Sequence, residues 1–257
     1  MSVSKTSRFA SYLMVLGLLC SSQAVADENS SLANYTSPIL ISAPFIPGHV
    51  DESGQGVNQR RVSDALKSCG FEAEFRVTPF GRHLRMFEDF EDVDAVMTVP
   101  TSYPISGFRS TVYAQYQPAL IIHQALGEGS RSSLINQDLR VVTFRHAPQI
   151  LGLGQFGFTV VEEITDLRLH LPMLLLKRVD AIIGDPAVII ATMSLEDRLD
   201  DSESSASRSL KIKEYFPPTQ YQMAFKNQFH RDAFNRCWQG VAISHQNIIS
   251  DDISNSL

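Results

Sequence analysis

One pattern occurs twice in the chain: a predicted helix leads into a short strand that starts with an acidic residue and an alanine. The two copies are Val93 to Val96 (VDAV) and Val179 to Ile182 (VDAI). The predicted helices before them are Arg82 to Phe90 and Leu171 to Arg178. Strands that alternate with helices favour parallel pairing in a sheet. The pattern therefore predicts an α/β fold with two similar units.

The first unit contains three predicted strands and a helix before the second of them. The strands are Ile39 to Ser42, Phe71 to Val77 and Asp94 to Val99, the last apolar enough to be buried on both faces. Asn58 is predicted to cap the helix that runs to Ser68.

The second unit has the same order of elements. Its predicted strands are Leu139 to Phe144, Val160 to Val161 and Asp180 to Gly184. The polar segments Gly127 to Ser133 and Glu196 to Ser209 are predicted to be surface loops.

The N-terminus has the order of a cleavable signal peptide. Lys5 and Arg8 precede an apolar run from Tyr12 to Cys20, and small residues end the segment Met1 to Ala26. The apolar run is too short to span a bilayer. We expect a mature chain that begins near Asp27 and is located in the periplasm.

The charge of the chain limits its partners. It contains 28 acidic and 22 basic residues, with a net charge of −6. No cluster of lysine and arginine offsets this excess, which argues against nucleic acid or an anionic membrane as the partner. A small solute is the expected partner.

Cofactor, metal and catalytic motifs are weak in this sequence. The segment Gly152 to Gly157 spells G-x-G-x-x-G, but a strand pattern follows it where a dinucleotide site needs a helix. The seven histidines have no metal-ligand spacing, and no G-x-S-x-G motif is present. We therefore expect no cofactor, no metal and no enzymatic activity.

Three charged residues follow predicted strands or turns. Arg82 begins a helix and could bind a carboxylate, or could be a solvated helix residue. Arg145 and Asp185 follow strand ends, where open sheets bind ligands, but either could belong to a turn. Phe45 and Tyr103 could form aromatic walls or simply pack, and Thr98 completes the candidate set.

The residues resemble the family 3 extracellular solute-binding proteins, the group typified by amino-acid receptors of ABC importers. The strongest segments are PFGRHLRM at 79–86, running into VDAV, and MLLLKRVDAIIGD at 173–185. The match extends from about Pro38 to Gly240. No single motif is diagnostic, but their order and spacing together are fairly specific.

The resemblance implies a type II periplasmic-binding-protein-like fold with mixed sheets, a hinge, and two lobes that close on a ligand. Lobe one would comprise 27–118 and 218–257, and lobe two 119–217. Asp185 matches the acidic residue that receives a ligand ammonium, and Phe45 falls where an aromatic wall is usual.

The resemblance also bears on the two cysteines of the mature chain. Cys69 and Cys237 could form a bridge or remain two buried thiols, since spacing alone does not fix their distance. The family topology returns the terminal helix to lobe one, which implies that they are bonded.

Two segments depart from the family pattern. Where amino-acid receptors carry Thr-Pro-Glu-Arg, the chain reads PTSY at 100–103, and where they carry Gly-Thr-Thr it reads HAP at 146–148. Arg82 or Arg145 would have to replace the missing cation.

The sequence therefore predicts a monomeric, non-enzymatic receptor that closes on a small polar ligand, amino-acid-like or amine-bearing. The receptor would deliver this ligand to an ABC importer permease or a membrane sensor. The alternatives are an accessory protein with a degenerate cleft and a dehydratase-like enzyme that uses an acid such as Glu162 or Glu163.

Overall fold

The computed structural model describes residues 37–123, 139–158, 161–196 and 210–254. The predicted signal peptide, the predicted loop Gly127 to Ser133 and residues 197–209 of the other predicted loop lie outside this part. None of the helices within it combines the length and apolar character that a membrane span needs.

The described residues form strands and helices in alternation over much of the chain. The strands are β1 (Ile39–Pro44), β2 (Ala73–Thr78), β3 (Ala95–Pro100), β4 (Phe108–Tyr116), β5 (Ala119–His123), β6 (Val141–Phe144), β7 (Val161–Ile164), β8 (Ala181–Gly184), β9 (Leu210–Tyr215) and β10 (Thr219–Phe225). The α-helices are α1 (Val57–Ser68), α2 (Arg82–Asp89), α3 (Ala147–Leu151), α4 (His170–Leu175), α5 (Pro186–Glu196) and α6 (Gln228–Ser254). Short 3₁₀ turns cover Leu153–Phe156 and Leu167–Leu169.

The strands form two five-stranded mixed sheets. The first has the order β2-β1-β3-β10-β4, and the second β7-β6-β8-β5-β9. The first three strands in each of these orders are parallel, and crossover connections join them. The last two strands in each order are added through antiparallel pairing. The predicted α/β fold with mixed sheets is confirmed.

The chain passes between the sheets twice. It leaves the first sheet after β4 and returns to it at β10. Both passages contain proline, Pro118 in one and Pro217 with Pro218 in the other. We call the elements of the first sheet, with α1, α2 and α6, the first half, and those of the second sheet, with α3, α4 and α5, the second half.

The buried strands agree with the sequence pattern. All six residues of β3 and all four of β8 are buried. The predicted helix cap at Asn58 is wrong: Gly56 precedes α1, and Asn58 lies inside it. Its Nδ2 donates to the Tyr116 hydroxyl at 2.8 Å. The Asn58 side chain therefore hydrogen-bonds the buried Tyr116 hydroxyl and does not cap the helix.

A disulfide joins the end of α1 to α6. Cys69 and Cys237 are bonded, with their Cα atoms 6.0 Å apart, so the structure contains the predicted bridge. The Arg61 guanidinium also lies 4.9 Å from the centre of the Trp238 ring, between the same two helices.

The two halves share one apolar cluster. It includes Ile41 and Phe80 from the first half and Phe144 and Leu153 from the second. The Phe80 and Phe144 rings meet edge to face, with centroids 5.1 Å apart. The facing surfaces are therefore in direct contact in this structure.

Candidate functional site

A cavity of about 40 Å³ lies between the two halves. Its lining from the first half is Ile46, Phe80, Thr98, Tyr116 and Tyr221. Its lining from the second half, with the passage residue Pro118, is Phe144, Leu167, His170, Gly184, Asp185, Val188 and Ile189. Such a volume has room for roughly three water-sized groups. The site is therefore small and largely apolar.

Asp185 brings a carboxylate to this cavity. It follows β8 and its Oδ1 accepts the backbone N–H of Ala187 at 2.8 Å, which caps the start of α5. Its Oδ2 accepts the backbone N–H of Gln117 at 2.7 Å, beside the first passage between the halves. Each oxygen retains a second lone pair, so the group can still accept from a ligand.

Four aromatic rings surround the same space. Phe80 meets Phe144, and the ring centroids of Tyr116 and Tyr221 lie 5.1 Å apart. Burial raises the pKa of both tyrosines, which keeps their hydroxyls protonated. The lining is therefore rich in aromatic rings, and its tyrosine hydroxyls are neutral.

Thr98 lines the cavity with an unusual backbone. Its φ is 60°, in the left-handed region that costs a β-branched residue roughly 1–2 kcal/mol. The Tyr113 hydroxyl accepts its backbone N–H at 2.9 Å and lies 2.9 Å from its Oγ1. These bonds hold the strained residue beside the site.

His170 is a lining residue that sequence reasoning missed. It is 2% exposed, and its Nε2 has no hydrogen-bond partner among the described residues. Burial lowers its pKa to about 4, against the opposing effects of a hydrogen bond with the Thr143 backbone and the charge of Asp166. The imidazole is therefore neutral at pH 7.

Four of the predicted site residues do not line the cavity. The guanidinium of Arg168 lies 4.7 Å from the centre of the Phe45 ring, and the rings of Tyr103 and His146 are 5.8 Å apart. Arg82 and Arg145 are exposed. The structure thus brings Thr98 and Asp185 together and places the other four outside the lining.

Several contacts join the halves around the cavity. The backbone N–H of Phe80 donates to the carbonyl of Thr165 at 3.0 Å. A Cβ added to Gly81 would lie 2.9 Å from Cγ of Arg145, and one added to Gly48 would lie 3.0 Å from Cβ of Ala191. The halves are therefore closed tightly at these points.

The glycine-rich segment forms a turn, and the described histidine, cysteine and acidic side chains form no metal cluster. Gly152 and Gly157 flank a 3₁₀ turn with φ values of 62° and 85°, and strand β7 comes next. Within the described part of the chain, no three metal-ligating side chains cluster closely enough to hold an ion.

Comparison with solved structures relates the fold to two-lobed binding proteins. The arginine-, lysine-, histidine-binding protein ArtJ from Geobacillus stearothermophilus has a TM-score of 0.64 at 16% identity, over 82% of this chain and 91% of that one. The GluR0 ligand-binding core in complex with L-glutamate has a TM-score of 0.65 at 15% identity, over 84% and 96%.

A histidine kinase sensor domain with similarity to periplasmic binding proteins also matches, with a TM-score of 0.64 at 15% identity, over 85% and 95%. No family model matches the sequence, and no curated protein does. At these identities the comparisons show the fold, and they confirm the architecture that the resemblance implied.

Proposed function

We propose that the protein is a periplasmic solute-binding protein that closes its two halves on a small amine-bearing molecule. One observation carries the proposal: the cavity between the halves combines a single carboxylate, Asp185, with four aromatic rings. The similar structures include an amino-acid-binding protein and a sensor domain. Delivery to an importer or to a sensor is part of the proposal.

The binding chemistry follows from these groups. Asp185 would accept a charge-assisted hydrogen bond from the ligand cation, and such a bond is worth about 1.5–3 kcal/mol. The aromatic faces would add cation–π attraction, about 2 kcal/mol where water is excluded. Phe45, Arg82, Tyr103 and Arg145 stay predicted contacts, and we assign no reaction to the site.

In the proposed function the two lobes move relative to each other by bending at the two passages between the sheets. The proposed lobes are 27–118 with 218–257, and 119–217. Pro118, Pro217 and Pro218 support this division, because proline fixes φ and limits where the passages can bend. Ligand contacts made by both lobes would favour the closed form over the open one.

A ligand screen tests the proposal on the mature chain. Melting temperatures would be measured with amino acids, alkylamines, organic acids and short peptides. A ligand at 100 times its dissociation constant stabilises a protein by about 2.7 kcal/mol, which shifts the melting temperature measurably. We expect at least one amine-bearing compound to do this, and a panel with no such shift would overturn the proposal.

A second candidate is an accessory protein whose cleft is filled by its own side chains. The edge-to-face contact of Phe80 with Phe144 favours it, because these rings occupy space where the halves meet. This candidate predicts that the dimensions measured by X-ray scattering stay the same with every compound of the panel. The first candidate predicts a more compact particle with the compound that binds.

A further inference from the structure

The turn after β7 connects the second half to the first through several contacts. The carbonyl of Thr165 accepts the backbone N–H of Phe80 at 3.0 Å. Leu167 is buried, lines the cavity and belongs to the apolar cluster that the halves share. Arg168 comes next, and its guanidinium carbon lies 4.7 Å from the centre of the ring of Phe45, which follows β1 in the first half. A cation at this distance over an aromatic ring is attracted by its face.

Asp166 fixes the guanidinium that makes this contact. Nε of Arg168 donates to Oδ1 of Asp166 at 2.9 Å, and Nη2 donates to Oδ2 at 2.8 Å. Oδ1 also accepts the backbone N–H of Arg168 at 3.1 Å, which caps the 3₁₀ turn. Both residues belong to the second half, so these bonds do not depend on whether the halves are open or closed. Only the stacking on Phe45 is made on closure, and a guanidinium already held in place loses little further freedom when it stacks.

Charge also favours the position of Arg168 beside the first half. The pKa of Arg168 is raised by its hydrogen bond with Asp166 and by the charges of Asp166 and Glu52, against the opposing effect of burial. Glu52 is exposed and lies in the first half, between β1 and α1. The attraction between Glu52 and Arg168 therefore acts across the halves, and salt weakens it because both groups are in contact with water.

We infer that Arg168, held by Asp166, keeps the two halves closed when no ligand is bound by stacking on Phe45. We call these three residues the latch. The residue after Phe45 and the residue before Arg168 both line the cavity, so the latch lies beside it. The inference uses the opening and closing of the proposed function, but it requires no ligand. A ligand cation could use this face of Phe45 only after Arg168 has left it.

A second arginine provides a matched control. Arg140 donates to Asp180 through Nε at 3.0 Å and through Nη2 at 2.9 Å, and both residues belong to the second half. The side chains of Arg140 and Arg168 are exposed to nearly the same extent, 56% and 54%. Among the described residues, no aromatic ring lies under the Arg140 guanidinium. Arg140→Ala therefore removes a similar ion pair without removing a contact between the halves.

The backbone amide of Phe80 reports the opening of the halves. In the closed form its N–H donates to the Thr165 carbonyl of the other half, and opening breaks this bond and lets the N–H exchange with water. Its exchange rate, measured by NMR, therefore follows the open fraction. The amide of Arg145 donates to the Ile164 carbonyl at 3.1 Å inside the second half, so its exchange reports local unfolding instead.

Hydrogen exchange of the ligand-free mature chain, at one pH, tests the latch. Arg168→Ala and Phe45→Leu should each raise the exchange rate of the Phe80 amide about two- to fivefold, which corresponds to roughly 0.5–1 kcal/mol for an exposed cation–π pair. Neither variant should change the rate of the Arg145 amide, and Arg140→Ala should change neither rate. Because both latch variants remove the same contact, the double variant should exchange no faster than the faster of the two.

The outcomes separate this inference from the proposed function. Equal Phe80 exchange in the parent and in Arg168→Ala would show that the latch does not hold the halves, and so would an equal increase in Arg140→Ala. Effects of Arg168→Ala and Phe45→Leu that multiply in the double variant would also refute it, because the two side chains would then act independently. None of these results decides whether a ligand binds. A ligand screen without any hit would refute the proposed function and leave the exchange rates as the test of the latch.

Discussion

Asp185 has three roles in the structure: it caps α5, accepts the backbone N–H of Gln117 and lines the cavity. Asparagine caps helices about as well as aspartate, but it has one acceptor oxygen, so in Asp185→Asn the N–H of Gln117 would face the amide NH₂ group and stability should fall by about 1–3 kcal/mol. The variant should weaken the binding of an amine-bearing ligand found in the screen about tenfold or more, because the charge of the acceptor is lost.

Calorimetry and urea denaturation check the two parts of this prediction. Asp180→Asn is the control for charge removal, because Asp180 pairs with Arg140 and does not line the cavity. Unchanged affinity in Asp185→Asn would show that Asp185 is a turn residue alone.

Gly81 and Gly70 form a matched pair of glycines with positive φ, 84° and 82°. A Cβ at Gly70 meets nothing within 4 Å, whereas one at Gly81 would lie 2.9 Å from Cγ of Arg145 in the other half. Both alanine variants carry the left-handed cost of roughly 1–2 kcal/mol. Gly81→Ala should lose about 1 kcal/mol more through overpacking. Equal denaturation midpoints in the two variants would contradict the prediction.

Residue patterns anticipated some of this site and missed the rest. Asp185 was predicted as a ligand contact because it follows a strand end, and it lines the cavity. His170 lies in an apolar helix start, LHLP, where nothing local separates a buried histidine from a contact residue. Its position depends on how α4 packs under the second sheet, which sequence spacing does not record.

The helices α2 and α4 each carry a buried histidine. Burial lowers the pKa of His83 to about 3 and that of His170 to about 4, from an ordinary value of 6.5. The unfolded chain therefore takes up protons below pH 6.5 while the folded protein does not. The free energy of unfolding should be maintained above pH 6.5 and should fall between pH 6.5 and 4, by up to about 1.4 kcal/mol per pH unit for each histidine.

Urea denaturation at several values of pH measures this slope. His170→Phe should reduce the loss in that range, because one of the two groups no longer titrates. Burial shifts the pKa of His49, His146 and His230 in the same direction. A stability that rises as the pH falls from 6.5 to 4 would contradict the assignment.

The order of the strands and helices was predictable from the sequence. The residues at which they begin and end depend on tertiary contacts. The strands β3 and β8 are continuous apolar runs, and both are fully buried as predicted. The strand predicted from Phe71 begins at Ala73, since Phe71 packs on Phe229 and His230 of α6 instead. The antiparallel strand β10 pairs with elements more than a hundred residues earlier, which local periodicity does not encode.

Closure of the whole molecule depends on the rings that meet between its halves. Phe144→Ala removes the contact with Phe80 and should lower stability by about 3–5 kcal/mol. Phe87→Ala is the control, because that ring is 1% exposed and lies in an apolar cluster confined to the first half. Both variants should lose stability, but only Phe144→Ala should increase the radius of gyration in X-ray scattering. An equal radius in both would show that the contact does not hold the halves together.

The bond between Cys69 and Cys237, which lie 168 positions apart in the sequence, closes most of the chain into a covalent ring. The whole second half lies inside that ring, since β5 starts at Ala119 and β9 ends at Tyr215. A single protease cut anywhere in the second half would therefore open the ring without releasing a fragment. The cut protein would migrate as one species until a reducing agent separated it into two pieces. Sequence insertions or new chain ends placed there would likewise leave the first half tied together.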